Sequence, residues 1–421
     1  MTQDSTHDLV SLAAGTQDFL RWARHGQSRL VALQAAMNEP LEARQMRLFR
    51  QKEVLELSGL KPHHWRTWVA ANRPNEVGEV RLTIEEVHRF MEANNARPSK
   101  PAGAKTMRLV VAQLKGGAGK TMSTLHLAHN LACRGYRVLL IDGDPQGTLT
   151  TLCGWRSEAV RPEQTMAAVF DRIDAPELID SPAVQPQRTH IDGLDFIPAS
   201  LEMIGSDFLI ASAFMSSPAS ARRFYTFIDE DLKRIESSYD IVLIDTSPSF
   251  SFTALAMMWA ADGLVVPMPP NLPDYRATLD FSQMMGENMG KLEHAAHVKK
   301  VWDPVIFAHV RADMTQTTSL VRGLSADTFG NHRVEQSVPN SSAFVNAASR
   351  FRSVYEVTGA EVDARSSRRA REAYDALADR VLTSVTTVWA RQAAARPAPA
   401  APTSDSPESA VVVTPAVGKV A

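Results

Sequence analysis

RLVVAQLKGGAGKT, residues 108–121, runs from branched apolar residues through a glycine-rich stretch into Lys-Thr. Arg108–Gln113 reads as a strand, and Lys120–Arg134 has the apolar spacing of a helix. Gly116, Gly117 and Gly119, with Ala118 between them, let the connecting loop curl so that successive backbone N–H groups converge on phosphate oxygens. The N-terminus of the following helix, opening with Lys120, Thr121 and Met122, adds partial positive charge. Lys120 is then placed to neutralise β- and γ-phosphates, and the Thr121 hydroxyl to bind Mg²⁺. The usual phosphate-loop pattern has its first glycine where this chain has Leu114, and the loop carries an extra lysine, Lys115. Phosphate cradling alone does not need Lys115, so it is either solvated or reaches a second negative charge.

Outward from this loop, short apolar runs alternate with helical stretches. Tyr136–Asp142, Leu194–Pro198, Asp240–Asp245, Gly263–Met268, Pro304–Val310 and Val334–Val338 are further strand candidates. Runs apolar on both faces and separated by helices predict an α/β unit, a mostly parallel sheet covered by helices on both faces. Ligands of such sheets bind beyond the carboxyl ends of the strands. Two of those ends are acidic, at Asp142-Gly143-Asp144 and at Asp245-Thr246-Ser247. One strand-end Asp alone is equally a cap or turn residue. Asp142, Asp144 and Asp245 together, beside a phosphate loop, point to Mg²⁺ binding and to placement of an attacking water.

The chain has 421 residues, with 45 Lys and Arg against 47 Asp and Glu, a formal charge of -2. A sheath of positive charge is excluded, so nucleic acid would be held by local patches. The only cysteines, Cys133 and Cys153, exclude a disulfide framework and a four-cysteine zinc or iron–sulfur site. No apolar run reaches bilayer length, and the N-terminus has no basic stretch followed by an apolar one. A cytoplasmic protein is expected. Composition divides the chain into an N-terminal helix (1–46), a small helical unit with strand-like Val80–Leu82 (47–93), a linker (94–105), the large α/β unit (106–392) and a disordered Ala/Pro-rich tail (393–421).

KGGAGKT (Lys115–Thr121), DGDPQGT (Asp142–Thr148) and IVLIDTSPS (Ile241–Ser249) resemble the deviant Walker A, A′ and Walker B motifs of the ParA/MinD ATPase family, in the family's order. VVPMPPNLPDYRATLDF (265–281), HRVEQSVPNSSAF (332–344) and ASRFRSVYE (348–356) resemble the large plasmid-partition ParA proteins that carry an N-terminal helix-turn-helix domain. The resemblance implies a P-loop NTPase that binds ATP or ADP with Mg²⁺ and hydrolyses ATP slowly. It implies that Lys115 crosses to the nucleotide of the other subunit in an ATP-bound homodimer, that Asp144 orients the water, and that Asp245 holds the Mg²⁺ shell with Asp142 close by. Met122 stands where many relatives have Thr or Ser, and acts through its backbone N–H. The implied partners are DNA and a ParB-like centromere-binding protein, and the implied location is the nucleoid.

Lys52–Ala70, KEVLELSGLKPHHWRTWVA, reads as helix, Gly-containing turn, helix, and a third helix follows Arg81-Leu82-Thr83. This looks like a MerR-like winged helix-turn-helix, with Asn75–Leu82 as the wing. Lys61, His63, His64, Arg66 and Arg73 are its candidate DNA contacts, and a protein-interaction module with a solvated basic face is the alternative. The amphipathic stretch Asp8–Met37 either pairs with a second copy or packs on its own chain. A second basic set comprises Arg350, Arg352, Arg365, Arg368, Arg369 and Arg371. In the resembling family, arginines matching Arg350 or Arg352 serve sequence-independent DNA binding, and the helix-borne arginines of this set are equally readable as solvated charge. Three functions compete: a DNA-partition ATPase whose ADP form is free to repress its own operon, a nucleotide-regulated repressor, and a MinD-like membrane ATPase. The last needs a basic amphipathic C-terminal helix, which PESAVVVTPAVGKVA does not supply.

Overall fold

The computed structural model describes residues 15–37, 44–173, 182–216, 222–358 and 361–395. The large unit is built on a seven-stranded sheet. Its strands are β3 (Met107–Val111), β4 (Val138–Gly143), β5 (Gln187–Arg188), β6 (Leu194–Ile197), β7 (Ile241–Thr246), β8 (Gly263–Met268) and β9 (Val305–His309), in the order β5-β6-β4-β7-β3-β8-β9. All pairs are parallel except β5 against β6 at one edge. The central strands are apolar on both faces because both faces are covered. Leu109, Val111, Leu140 and Leu243 enter one core with the helices Lys120–Cys133 and Ala364–Ala394. Val110, Leu139, Val242 and Ile244 enter the other, with Phe224–Ile235, Phe252–Ala260 and Leu272–Ala296.

The predicted fold class is the observed one: a mostly parallel sheet between helical layers, with the phosphate loop after central strand β3. One expected strand does not form. Val334–Val338 runs beside β9, donating Val334 N–H to Phe307 O and Val338 N–H to His309 O, each at 2.8 Å. Only two isolated bridges result, because exposed Glu335 and Gln336 bend away between those contacts. The sequence reading missed the antiparallel edge strand Gln187–Arg188, which is too short to carry a periodicity.

Residues 49–93 form helices Gln51–Ser58, Pro62–Asn72 and Ile84–Ala93, with β1 (Phe49–Arg50) paired antiparallel to β2 (Arg81–Leu82). The unit is therefore not all-helical. Gly59 ends its first helix in the left-handed conformation, and Pro62 opens the second at a position that suits its fixed φ. Thr83 and Glu86 form a capping box on the third. Trp65 and Trp68 meet Phe90 edge-on, with ring centroids 6.0 and 5.9 Å away. This core is continuous with that of the α/β unit. His88 bridges the two, bonding Asp192 Oδ2 at 2.5 Å and Ala132 O at 2.9 Å.

Segment 94–105 runs along the α/β unit. Arg97 Nε donates to Gly135 O, and Lys100 N–H to Asp240 Oδ1, each at 3.0 Å. The helix Thr16–Met37 exposes Phe19, Leu20 and Trp22. The start of the expected pairing stretch, 8–14, lies outside the described residues, as does the expected tail from 396 on. No helix among the described residues is long and apolar enough to cross a membrane. Phe90 is fully buried between the two tryptophans. Phe90→Ala is expected to destabilise the protein by about 3–5 kcal/mol, read as a lowered midpoint in denaturant unfolding with the sheet's transition shifted as well.

Candidate functional site

The loop 114–119 leaves β3 at the middle of the sheet. Gln113, buried, anchors its start by accepting Leu114 N–H at 2.8 Å and donating to Thr278 Oγ1 at 2.9 Å. Gly117 and Gly119 have φ of 75° and 92°, which other residues rarely adopt. A Cβ on Gly119 would also stand 3.0 Å from Val310 Cγ2. The loop is thus a curl that glycine alone accepts, ending at the N-terminus of Lys120–Cys133. Arg311, just past β9, donates to Gly117 O at 2.6 Å and closes the loop from outside.

Lys120 is buried within the electrostatic reach of two carboxylates, Asp245 and Asp144. Burial lowers its pKa and those carboxylates oppose the shift. Asp142 and Asp245 end neighbouring strands and are paired across the β4–β7 register. Both are fully buried, and burial pushes their carboxyls up to about 7 and about 8. Asp245 Oδ1 accepts Thr124 Oγ1 at 3.1 Å, while its buried Oδ2 has no partner. An orphaned carboxylate oxygen beside Lys120 and Thr121 fits a Mg²⁺ shell held directly or through water. When bound with nucleotide, Mg²⁺ supplies charge neutralisation at phosphate oxygens.

Asp142 is arranged differently. Its Oδ2 accepts Thr150 N–H at 2.8 Å and Thr150 Oγ1 at 2.7 Å, and its Oδ1 accepts Asp144 N–H at 3.1 Å. These three bonds brace the A′ turn, and the carboxylate stands beside Asp245 at the strand ends where the metal is expected. Asp144 lies in that turn, partly exposed, its Oδ1 accepting Gln146 N–H at 3.0 Å. Lys115 Nζ forms an ion pair with Asp274 at 2.9 Å within its own chain. The sequence reading missed Asp274, although Asn271, which caps its helix, stands in the quoted 265–281 stretch.

The basic candidates separate. Lys61 caps the helix Pro62–Asn72; Lys61, His63 and Arg66 are exposed and His64 partly so. Arg73 is engaged by Glu76 at 3.0 Å and by Glu86. Arg350 Nη1 donates to Glu361 O at 3.0 Å, and Arg352 Nη1 lies 3.4 Å from Glu361 Oε1. Arg365, Arg368 and Arg369 are exposed, Arg368 paired with Glu372. Arg371 instead turns inward, donating to Val354 O at 3.1 Å and to Ser367 Oγ at 2.9 Å.

A glycine curl after a central parallel strand, a buried lysine at the helix start and two acidic strand ends define a P-loop NTPase. Residues 106–287 match the model of an AAA domain. A Rhizobium rhizogenes protein described as a replication protein A is 27% identical over 380 residues, covering 86% of this chain and 93% of that protein. A Thermus thermophilus protein described as a plasmid-partitioning ParA is 35% identical over 178 residues, covering 42% of this chain and 49% of that protein. A solved structure described as a partition protein shares the fold with a TM-score of 0.60 at 20% identity, covering 86% of this chain and 98% of that one.

The raised carboxyls have a definite linkage sign. An Asp free in the unfolded chain ionises near about pH 4, whereas Asp142 and Asp245 hold protons in the fold to about 7 and about 8. The nucleotide-free protein therefore loses stability as pH rises through that window. A Mg²⁺ shell held by Asp245 would need its carboxylate ionised, so MgATP binding at about pH 7 should release protons to buffer. Calorimetry in buffers of differing ionisation enthalpy should show that release, and Asp245→Asn should remove most of it. Equal release from the variant would show that Asp245 does not take up the metal.

Proposed function

We propose that this protein is a DNA-partition ATPase of the ParA type, segregating a plasmid or a secondary chromosome. ATP with Mg²⁺ drives a homodimer in which each Lys115 reaches the nucleotide of the other subunit. That dimer binds DNA without sequence preference through arginines including Arg350 and Arg352. A ParB-like partner stimulates hydrolysis and releases it. The observation that carries the reading is the coincidence of a second loop lysine, Lys115, with a complete hydrolytic set, Lys120, Thr121, Asp144 and Asp245. A pure nucleotide sensor needs no residue poised over an attacking water.

Asp144 is suited to that role because its turn is braced from below by Asp142, leaving one of its oxygens outside the Gln146 bond. Lys115 is suited to an exchange of partners because it is held now by a single carboxylate at the rim, with 36% of its side chain exposed. Crossing to a second subunit means leaving Asp274 for a phosphate, which carries more charge. The exposed Lys61 and Arg66 on the helix after the Gly59 turn support an added operator-binding role for the ADP form, through a winged helix-turn-helix.

The test is Asp144→Ala. Hydrolysis should fall to background while MgATP binding persists, since Lys120 and the loop are untouched. The variant should stay on random-sequence duplex after ATP is supplied, with DNA dissociation slowed by at least about tenfold. Normal turnover in Asp144→Ala would remove the catalytic assignment, and failure of the ATP-loaded variant to hold DNA would remove the partition cycle.

A further inference from the structure

Arg44 precedes the N-terminal helical unit, and its side chain is almost wholly buried in the α/β unit. Its guanidinium donates from Nε to Glu356 Oε1 at 2.9 Å and from Nη2 to Leu152 O at 3.0 Å. The same Nη2 donates to Phe351 O. These contacts join two separate places. Leu152 ends the short helix Thr148–Leu152, whose Thr150 grips Asp142. Phe351 stands between Arg350 and Arg352. Glu356 closes the same segment, with Oε2 accepting Ser353 N–H at 2.7 Å.

Segment 350–356 has a conformation that needs holding. Phe351 has φ of 55°, a region that side-chain-bearing residues rarely occupy. The phosphate-loop helix supplies a second grip: His129 Nδ1 bonds Ser353 Oγ at 2.7 Å, and His126 Nε2 accepts Val354 N–H at 3.3 Å. His190 Nε2 reaches Glu356 Oε1 at 2.9 Å. Burial opposes a charge on Glu356, but Arg44 leads the groups that outweigh it and hold its carboxyl well below the usual range. Buried ion pairs are poor devices for stability alone, since apolar replacements of similar volume often match them. This one leaves Arg44 Nη1 without a partner, yet orders backbone carbonyls on two elements.

We propose that Arg44 is a positioning residue that ties the backbone between Arg350 and Arg352 to the helix behind the Asp142–Asp144 turn, so that the state of the nucleotide site sets the presentation of both arginines to DNA. The inference rests on the reading of Arg350 and Arg352 as DNA contacts. A move of the A′ turn on ATP binding reaches Leu152 through Thr150, and Arg44 passes it to Phe351. Arg350 and Arg352 then leave Glu361 for phosphates.

The test is a double-mutant cycle on the full chain, using ATP, Mg²⁺ and a random-sequence duplex. Arg44→Lys keeps the charge on Glu356 but loses the fork that reaches two carbonyls. In the otherwise native chain it should weaken ATP-dependent DNA binding by about tenfold, with MgATP affinity changed less than about twofold. In an Arg350→Ala/Arg352→Ala background, itself impaired, Arg44→Lys should cost less than about twofold more. If Arg44→Lys does not fold, the paired variant Arg44→Met/Glu356→Gln removes both charges and should show the same non-additivity. An equal loss in both backgrounds, or no loss in either, overturns the inference alone. DNA binding unaffected by Arg350→Ala/Arg352→Ala overturns both the inference and the DNA reading beneath it.

Discussion

Two carboxylates that end adjacent strands, fully buried and opposite each other, set the terms for everything around them. Asp142 and Asp245 would repel if both were ionised in a dry site. The chain meets this in two ways. Asp142 accepts three hydrogen bonds, two from Thr150 and one from the Asp144 backbone. Asp245 is left with one unpaired oxygen beside Lys120, an arrangement that nucleotide with its cation would complete. The site is thus unsatisfied without its ligand, and that lack gives binding something to change.

The sheet makes the juxtaposition possible. Placing β3 between β7 and β8, with β4 on the far side of β7, brings the loop after β3 and both acidic strand ends to one edge. Parallel pairing puts every carboxyl end on that edge, and the two helical layers keep water out of the strands behind it. Changes at this edge have short routes outward. The phosphate-loop helix runs to His126 and His129, and the helix after the A′ turn runs to Leu152. The first touches the segment that bears Arg350 and Arg352 directly, and the second reaches it through Arg44.

The α/β class, the central strands and the phosphate loop were legible in the sequence because they are written locally: branched runs of strand length, glycines at fixed offsets, an acidic residue at a strand end. The two helices flanking the Gly59 turn were legible for the same reason. What escaped depends on partners far apart in sequence. Asp274 pairs with Lys115, and Arg44 with Glu356, across separations that no periodicity records. Arg44 belongs to no motif legible in the sequence and lies in the core. Arg371 looked solvated, and its helix turns it onto Val354. Val334–Val338 had a strand's composition without a strand's pairing, because two exposed residues within it pull away from β9.

The central claim is that a nucleotide placed on this acidic edge decides whether the protein holds DNA. Titration of a fluorescent random-sequence duplex at one salt concentration, with ATP, with ADP and with no nucleotide, each with Mg²⁺, tests it directly. The account predicts tight binding with ATP alone and weak, indistinguishable binding in the other two. Binding of equal strength in all three would contradict it, because the buried carboxylates and the loop would then have no hold on the DNA-binding surface.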